Sequence, residues 1–260
     1  MSRIETTFQK LKAKGEKALI VFFTAGDPGI ASTEQFILSA IEAGADLVEI
    51  GIPFSDPVAE GEVIQRANAR ALAAGTKIED IFAMVSRLRT QTQVPLVFLT
   101  YANPVEHYGK SAFFSRCRET GVDGIIIPDV PFEERDEFNA PAHANGVDLI
   151  TLIAPTSADR IARIATDARG FVYCVSSLGV TGVRTNIETD LKPIIENVRA
   201  ATDTPVAIGF GISTPAQAAA FGKLADGVIV GSALVKLVER DGCEACGAIR
   251  DFVREMKNAL

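Results

Sequence analysis

Apolar and polar positions along this chain alternate in blocks. A run of four to six residues rich in Val, Ile and Leu ends in Gly, Pro, Asp or Thr, a helical segment follows, and the unit repeats. The runs fall at Ala18–Phe23, Leu47–Ile50, Leu96–Leu99, Gly124–Ile127, Leu149–Ile153, Phe171–Val175, Val206–Ile208 and Gly227–Val230. Four share a lead-in that ends in Asp: AGADLVEIG, TGVDGIIIPD, NGVDLITLIAP and LADGVIVG. Gly suits a helix C-cap and Asp the tight turn into a strand. Two more start at proline, VPLVFLTY and TPVAIGFG. Strands apolar on both faces and separated by helices imply a parallel sheet. Eight such units in 260 residues predict an α/β fold, a closed (β/α)8 TIM barrel. A doubly wound open sheet is the alternative, but no GxGxxG follows the first run. Residues 3–14, RIETTFQKLKAK, predict an extra amphipathic helix that covers the bottom of the barrel, and CGAIRDFVREMKNAL a closing one. No linker, low-complexity stretch or charge block interrupts the pattern, so residues 1–260 read as a single domain.

Composition narrows the partners. With 47% hydrophobic residues the chain can bury a large core, and a net charge of −7 without a basic stripe argues against nucleic acid. No apolar run approaches a membrane span, and the N-terminus lacks an apolar segment followed by a small-residue cleavage site, which makes a cytoplasmic protein the expectation. Cys117, Cys174, Cys243 and Cys246 are too scattered for a disulfide framework. The CxxC of Cys243 and Cys246 lacks a second ligand pair, and two histidines, His107 in a loop and His143 in a helix, offer little more, so no metal site is expected.

On a barrel of this kind, chemistry belongs at the C-terminal ends of the strands. The stretch DLVEIGIPFSDPVAEGEVIQ (46–65) places Glu49 inside a strand and Glu60 at the close of a loop stiffened by Pro53 and Pro57. A carboxylate inside a strand is paired or working, because burying it costs several kcal/mol. No Lys or Arg stands at a strand's upper end to pair with Glu49, which favours proton transfer and excludes a lysine Schiff base; the lack of a His cluster argues against a metal-dependent aldolase. The last three strands end in glycine-bearing turns, SSLGVTG, GFGI and GSA, where backbone amides near Gly182, Gly211, Gly231 and Ser232 are expected to hold a phosphate. Phe22, Ile64, Leu99, Tyr101, Ile126, Ile153, Tyr173, Phe210 and Ile229 gather at the same rim. Any one of them is ordinary core; together with a phosphate site they predict a slot for a flat apolar substrate with a phosphate tail.

The blocks FFTAGDPG, EAGADLVEIGIPFSDPVAEG, IQRANARAL, LTYANP, GVDGIIIPDVPFEE, APTS, FVYCVSSLGVTGVR, PVAIGFGI and DGVIVGSALVK closely resemble the tryptophan synthase α subunit family, in unbroken order from about residue 4 to residue 240. The resemblance implies retro-aldol cleavage of indole-3-glycerol phosphate to indole and D-glyceraldehyde 3-phosphate. It implies no cofactor in this chain and, as partner, a β subunit that carries pyridoxal phosphate, in an α2β2 assembly. Carried over, Glu49 protonates indole C3 and takes the proton of the neighbouring hydroxyl, and Glu60 accepts the indole N–H. Indole lies against Phe22, Leu99, Tyr173 and Phe210. Loop residues 53–60 and 176–190 resemble the segments that close the site, and Pro53, Asp56 and Asn103 become partner-facing. The chain departs from the family pattern at Glu60 for Asp, Glu62 for Pro, Ser177 for Arg and Phe132 for Pro or a small residue. The added methylene at Glu60 moves a carboxylate by about 1.5 Å, and misplacement by about 1 Å can cost roughly 10²-fold in rate. A catalytically weak α-like subunit that mainly binds and activates a β subunit is therefore the alternative, and a sugar-phosphate isomerase on the same barrel a weaker one.

Overall fold

The computed structural model describes residues 1–175, 188–209 and 211–260. Its first half runs α1 (Arg3–Lys14), β1 (Ala18–Thr24), α2 (Ile30–Glu42), β2 (Leu47–Gly51), α3 (Glu62–Ala73), α4 (Ile78–Arg89), β3 (Leu96–Leu99), α5 (Ala102–Tyr108), α6 (Lys110–Thr120) and β4 (Gly124–Ile126). The second half runs α7 (Asp136–Ala144), β5 (Asp148–Ile153), α8 (Ala158–Thr166), β6 (Arg169–Val175), α9 (Glu188–Ala201), β7 (Val206–Gly209), α10 (Pro215–Leu224), β8 (Gly227–Val230), α11 (Ser232–Asp241) and α12 (Cys246–Asn258). The strands pair in parallel in sequence order, and β8 returns to β1, closing the barrel.

Strand alternation sorts the side chains into two layers. Inward positions include Ala18, Ile20 and Phe22 on β1, Leu47 and Glu49 on β2, Val97 and Leu99 on β3, and Phe171 and Tyr173 on β6. Their neighbours Leu19, Val21, Val48, Ile50, Phe98 and Val172 point outward and meet the helices in the main core. The N-terminal helix plugs the bottom: Ile4, Phe8 and Leu11 join the interior layer, and the Phe8 ring lies 6.0 Å from that of Phe171. Ser2 and Glu5 form a capping box at its start, and Gly15, in the left-handed region, ends it.

In three of the four lead-ins the Asp before the strand has a definite task. Asp46, ahead of β2, accepts the Leu19 N–H of β1 at 2.8 Å. Asp123, ahead of β4, does the same for Leu96 of β3 at 2.8 Å, and Asp226, ahead of β8, for Val206 of β7 at 2.9 Å. Each carboxylate thus satisfies an amide at the lower end of the preceding strand, where the ladder begins. Cations finish the job: Lys257 reaches Asp46 at 2.8 Å, while Arg3 at 2.9 Å and Arg89 converge on Asp123.

Candidate active site

A cavity opens at the C-terminal mouth. Phe22, Glu49, Leu99, Ile126, Leu152, Tyr173 and Ile229 rise into it from the strands, and Ala59, Glu60, Gly61 and Ile64 cover it from the loop after β2 and the start of α3. Pro128, Gly211, Gly231 and Ser232 complete the rim.

Glu49 sits in the middle of β2, in register between Phe22 of β1 and Val97 of β3. It is 1% exposed, and its Oε1 is buried with no hydrogen-bond partner among the described residues. Burial alone pushes its carboxyl up to about 8, so the group is protonated at neutral pH. Tyr173 faces it: burial, and then the nearby Glu49 charge, hold that phenol well above its ordinary value.

Glu60 is fixed by a different set of contacts. Its Oε2 accepts from Asn68 Nδ2 at 2.6 Å, and its carbonyl accepts from Gln65 Nε2 at 2.7 Å. Burial raises this carboxyl to about 7, with the Asn68 amide and the Tyr101 hydroxyl pulling it back down. The adjoining Ala59 N–H donates to the Tyr101 hydroxyl at 3.2 Å, and the Phe54 ring lies 5.2 Å from that of Tyr101. Two carboxyl groups thus line one mostly apolar cavity with different preferences, the inner one keeping its proton longer.

The helix behind Glu60 is itself pinned. Arg70 of α3 forks onto Asp27, the residue three beyond the end of β1, with Nε–Oδ1 at 2.8 Å and Nη2–Oδ2 at 2.7 Å. Glu239 on α11 accepts from Arg66 at 2.8 Å and from Arg70 at 3.0 Å, and these two arginines hold its carboxyl down at about 2. This chain of charges ties α3 to α11, whose first residue is Ser232.

Gly211, Gly231 and Ser232 stand at the rim where the last strands end. Gly231 is the N-cap of α11, which as a glycine offers no side chain to the first-turn amides, and Gly231 and Ser232 both line the cavity. Gly211 adopts φ +82°, a conformation that strains any side chain, and no heavy atom lies within 4 Å of where a Cβ would stand. Gly182, Ser177 and Phe210 lie outside the described residues.

Several expectations change. Ile153 belongs to the outer core rather than the slot: the inward parity of β5 falls on Ile150 and Leu152, so Leu152 lines the cavity. Tyr101 is 1% exposed and buttresses the Glu60 loop without lining the cavity. Of the residues assigned to a partner face, Asp56 and Asn103 are exposed, whereas Pro53 is buried in a groove with Ile78, Pro104 and Tyr108. His107 lies within α5, not in a loop. Leu152 and Asn68 had no signal in the sequence beyond ordinary core or helix composition, whereas Pro128 stands in the PD pair at the end of its strand. No cluster of potential metal ligands occurs among the described residues, and no described helix is long and apolar enough to cross a membrane.

A family model described as "Tryptophan synthase alpha chain" matches residues 8–260. The tryptophan synthase alpha chain of Thermoanaerobacter sp. (strain X514) is 46% identical over 262 residues, covering 100% of both chains. Among solved structures, the alpha subunit of tryptophan synthase from Legionella pneumophila str. Paris aligns at a TM-score of 0.91 with 38% identity, covering 100% of this chain and 98% of that one. The tryptophan synthase complex from Pyrococcus furiosus aligns at 0.85 with 35% identity, covering 94% and 99%.

Proposed function

The chain belongs to the tryptophan synthase alpha chain family, and from that premise we propose how its barrel mouth performs the family's lyase reaction, cleavage of indole-3-glycerol phosphate to indole and glyceraldehyde 3-phosphate in tryptophan biosynthesis. The phosphate is held by main-chain amides at Gly211, Gly231 and Ser232, where glycine lets the backbone approach and the start of α11 contributes a positive dipole end. The indole ring lies in the slot between Phe22, Leu99, Ile126, Tyr173 and Ile229.

Indole is a poor leaving group until its C3 becomes tetrahedral. Glu49, protonated at neutral pH, supplies that proton. The positive charge that results spreads over the ring, and the ionised Glu60 accepts the ring N–H and stabilises it. Such stabilisation is strongest in a dry, preorganised cavity. The Glu49 carboxylate left behind takes the proton of the side-chain hydroxyl. The C–C bond breaks, its electron pair returns to the ring, and an aldehyde forms. Glu49 ends protonated, ready for another cycle.

The observation that carries this reading is the unpaired, buried Glu49 Oε1 on the wall of a cavity that also presents Glu60. The alpha chain works without a cofactor, pyridoxal phosphate residing in the beta chain. The partner is the beta subunit, in an α2β2 assembly, with the exposed Asp56 and Asn103 beside the mouth as contact residues. We read the chain as one barrel domain acting in the cytoplasm. Indole release from indole-3-glycerol phosphate, measured with and without a beta subunit, tests the reading: turnover that rises with the partner supports it, and none in either state refutes it.

A further inference from the structure

Asn68 is an unusual residue for its place. The buried stripe of α3 is Ala67, Asn68 and Ala71, and Asn68 is 3% exposed. A buried amide destabilises a helix face unless it is hydrogen-bonded. Its partner is the Glu60 carboxyl group, through Nδ2–Oε2 at 2.6 Å. The helix that carries Asn68 is clamped two residues further on by the Arg70–Asp27 fork and tied to α11 through Glu239. The carboxylate, although it hangs from a loop, is therefore referenced to a rigid element.

We propose that Asn68 is the positioning residue for Glu60: its side-chain amide, fixed on α3, holds that carboxylate at the cavity wall where it meets the ring nitrogen of the substrate. This rests on the reading of Glu60 as acceptor of that N–H. The groups that face Glu60 are few. Asn68 comes from α3, the Tyr101 phenol from the segment after β3, and Glu49 from β2 on the same cavity; no described cation pairs with it. Asn68 is thus the principal donor to the ionised carboxylate. Its removal both loosens the geometry and makes ionisation harder.

A double-mutant cycle separates positioning from general stability. Indole release is measured for the wild-type chain, Asn68→Ala, Glu60→Gln and the double variant, each with a beta subunit, from about pH 6 to about pH 9. Asn68→Ala is expected to lower kcat by ~10- to 100-fold with KM within about twofold. Its acidic limb should move to higher pH, and it should cost little further rate once Glu60 is Gln. Asn68→Leu, similar in size and without a donor, stands in if Asn68→Ala does not fold. Losses that multiply independently, or an acidic limb that stays put while Glu60→Gln is slow, overturn the proposal alone. A Glu60→Gln chain as fast as the wild type overturns the acceptor reading with it.

Discussion

Phe22 and Glu49 are register partners across the β1–β2 ladder, and both side chains enter the mouth cavity. The aromatic ring thus helps shield from water the carboxyl group that the proposed mechanism makes the proton donor. The residue above Glu49 by one strand repeat is Gly51, and a Cβ there would stand 2.6 Å from the Phe22 ring. The missing side chain at Gly51 makes the room in which Phe22 reaches across toward the acid.

The pH dependence of kcat/KM follows from the two carboxyl groups. The proposed mechanism needs Glu60 ionised and Glu49 protonated. With Glu60 raised to about 7 and Glu49 to about 8, the profile should be a narrow bell that rises through about 7 and falls through about 8. Initial rates of indole release across buffers of constant ionic strength check it, and Glu60→Gln should remove the acidic limb.

Stability should carry the same signature with a definite sign. The folded chain keeps the Glu49 proton up to about 8, whereas the unfolded chain releases it near its ordinary 4.5. Between those values the folded state binds more protons, so stability falls as pH rises; the contribution is complete below about 4.5 and gone above about 8. Thermal melts of wild type and Glu49→Gln at the two ends of that window should show the variant gaining relative stability at the alkaline end.

The phosphate grip predicts a binding effect separable from chemistry. Ser232 opens α11 at the rim, with first-turn amides beside it. Ser232→Pro removes one main-chain N–H from the grip at the first helical position, where proline is tolerated; a hydrogen bond to a charged ligand is worth about 1.5–3 kcal/mol. Titration with glyceraldehyde 3-phosphate should show affinity weakened by roughly 10- to 100-fold.

The Arg70–Asp27 fork predicts a cost in stability. The Asp27 side chain is 2% exposed, so Arg70→Met leaves a buried carboxylate without its cation. Breaking a fully buried pair costs about 3–5 kcal/mol, and because Arg70 is a third exposed the expectation is about 2–3 kcal/mol, read from urea unfolding.

The barrel was legible because its strands are apolar on both faces. That is why the runs Leu96–Leu99 and Gly227–Val230 reappear unchanged as β3 and β8. The same property hid the facing of β5. In DLITLI each face carries one polar residue, Asp148 beside Ile150 and Leu152 and Thr151 beside Leu149 and Ile153, so nothing in the sequence says whether Leu152 or Ile153 enters the cavity, and the register of β5 against β6 shifts between Ile150 and Thr151. Glu49 stood out because a charge in a strand needs a reason. Asn68 did not, since IQRANARAL reads as a helix with ordinary polar positions and only the packing shows which are covered. The recurrent Asp lead-ins were visible as a repeat, but their bond to the preceding strand is a tertiary contact that spacing cannot express.

In the proposed mechanism Glu49 moves the proton while other groups hold the substrate. Binding and single-turnover cleavage of indole-3-glycerol phosphate by Glu49→Gln, measured together in the presence of a beta subunit, test it most directly. The dissociation constant should stay close to that of the wild type and cleavage should slow by ~10²- to 10⁴-fold. Cleavage at the wild-type rate by a chain that has lost this carboxyl group would contradict it.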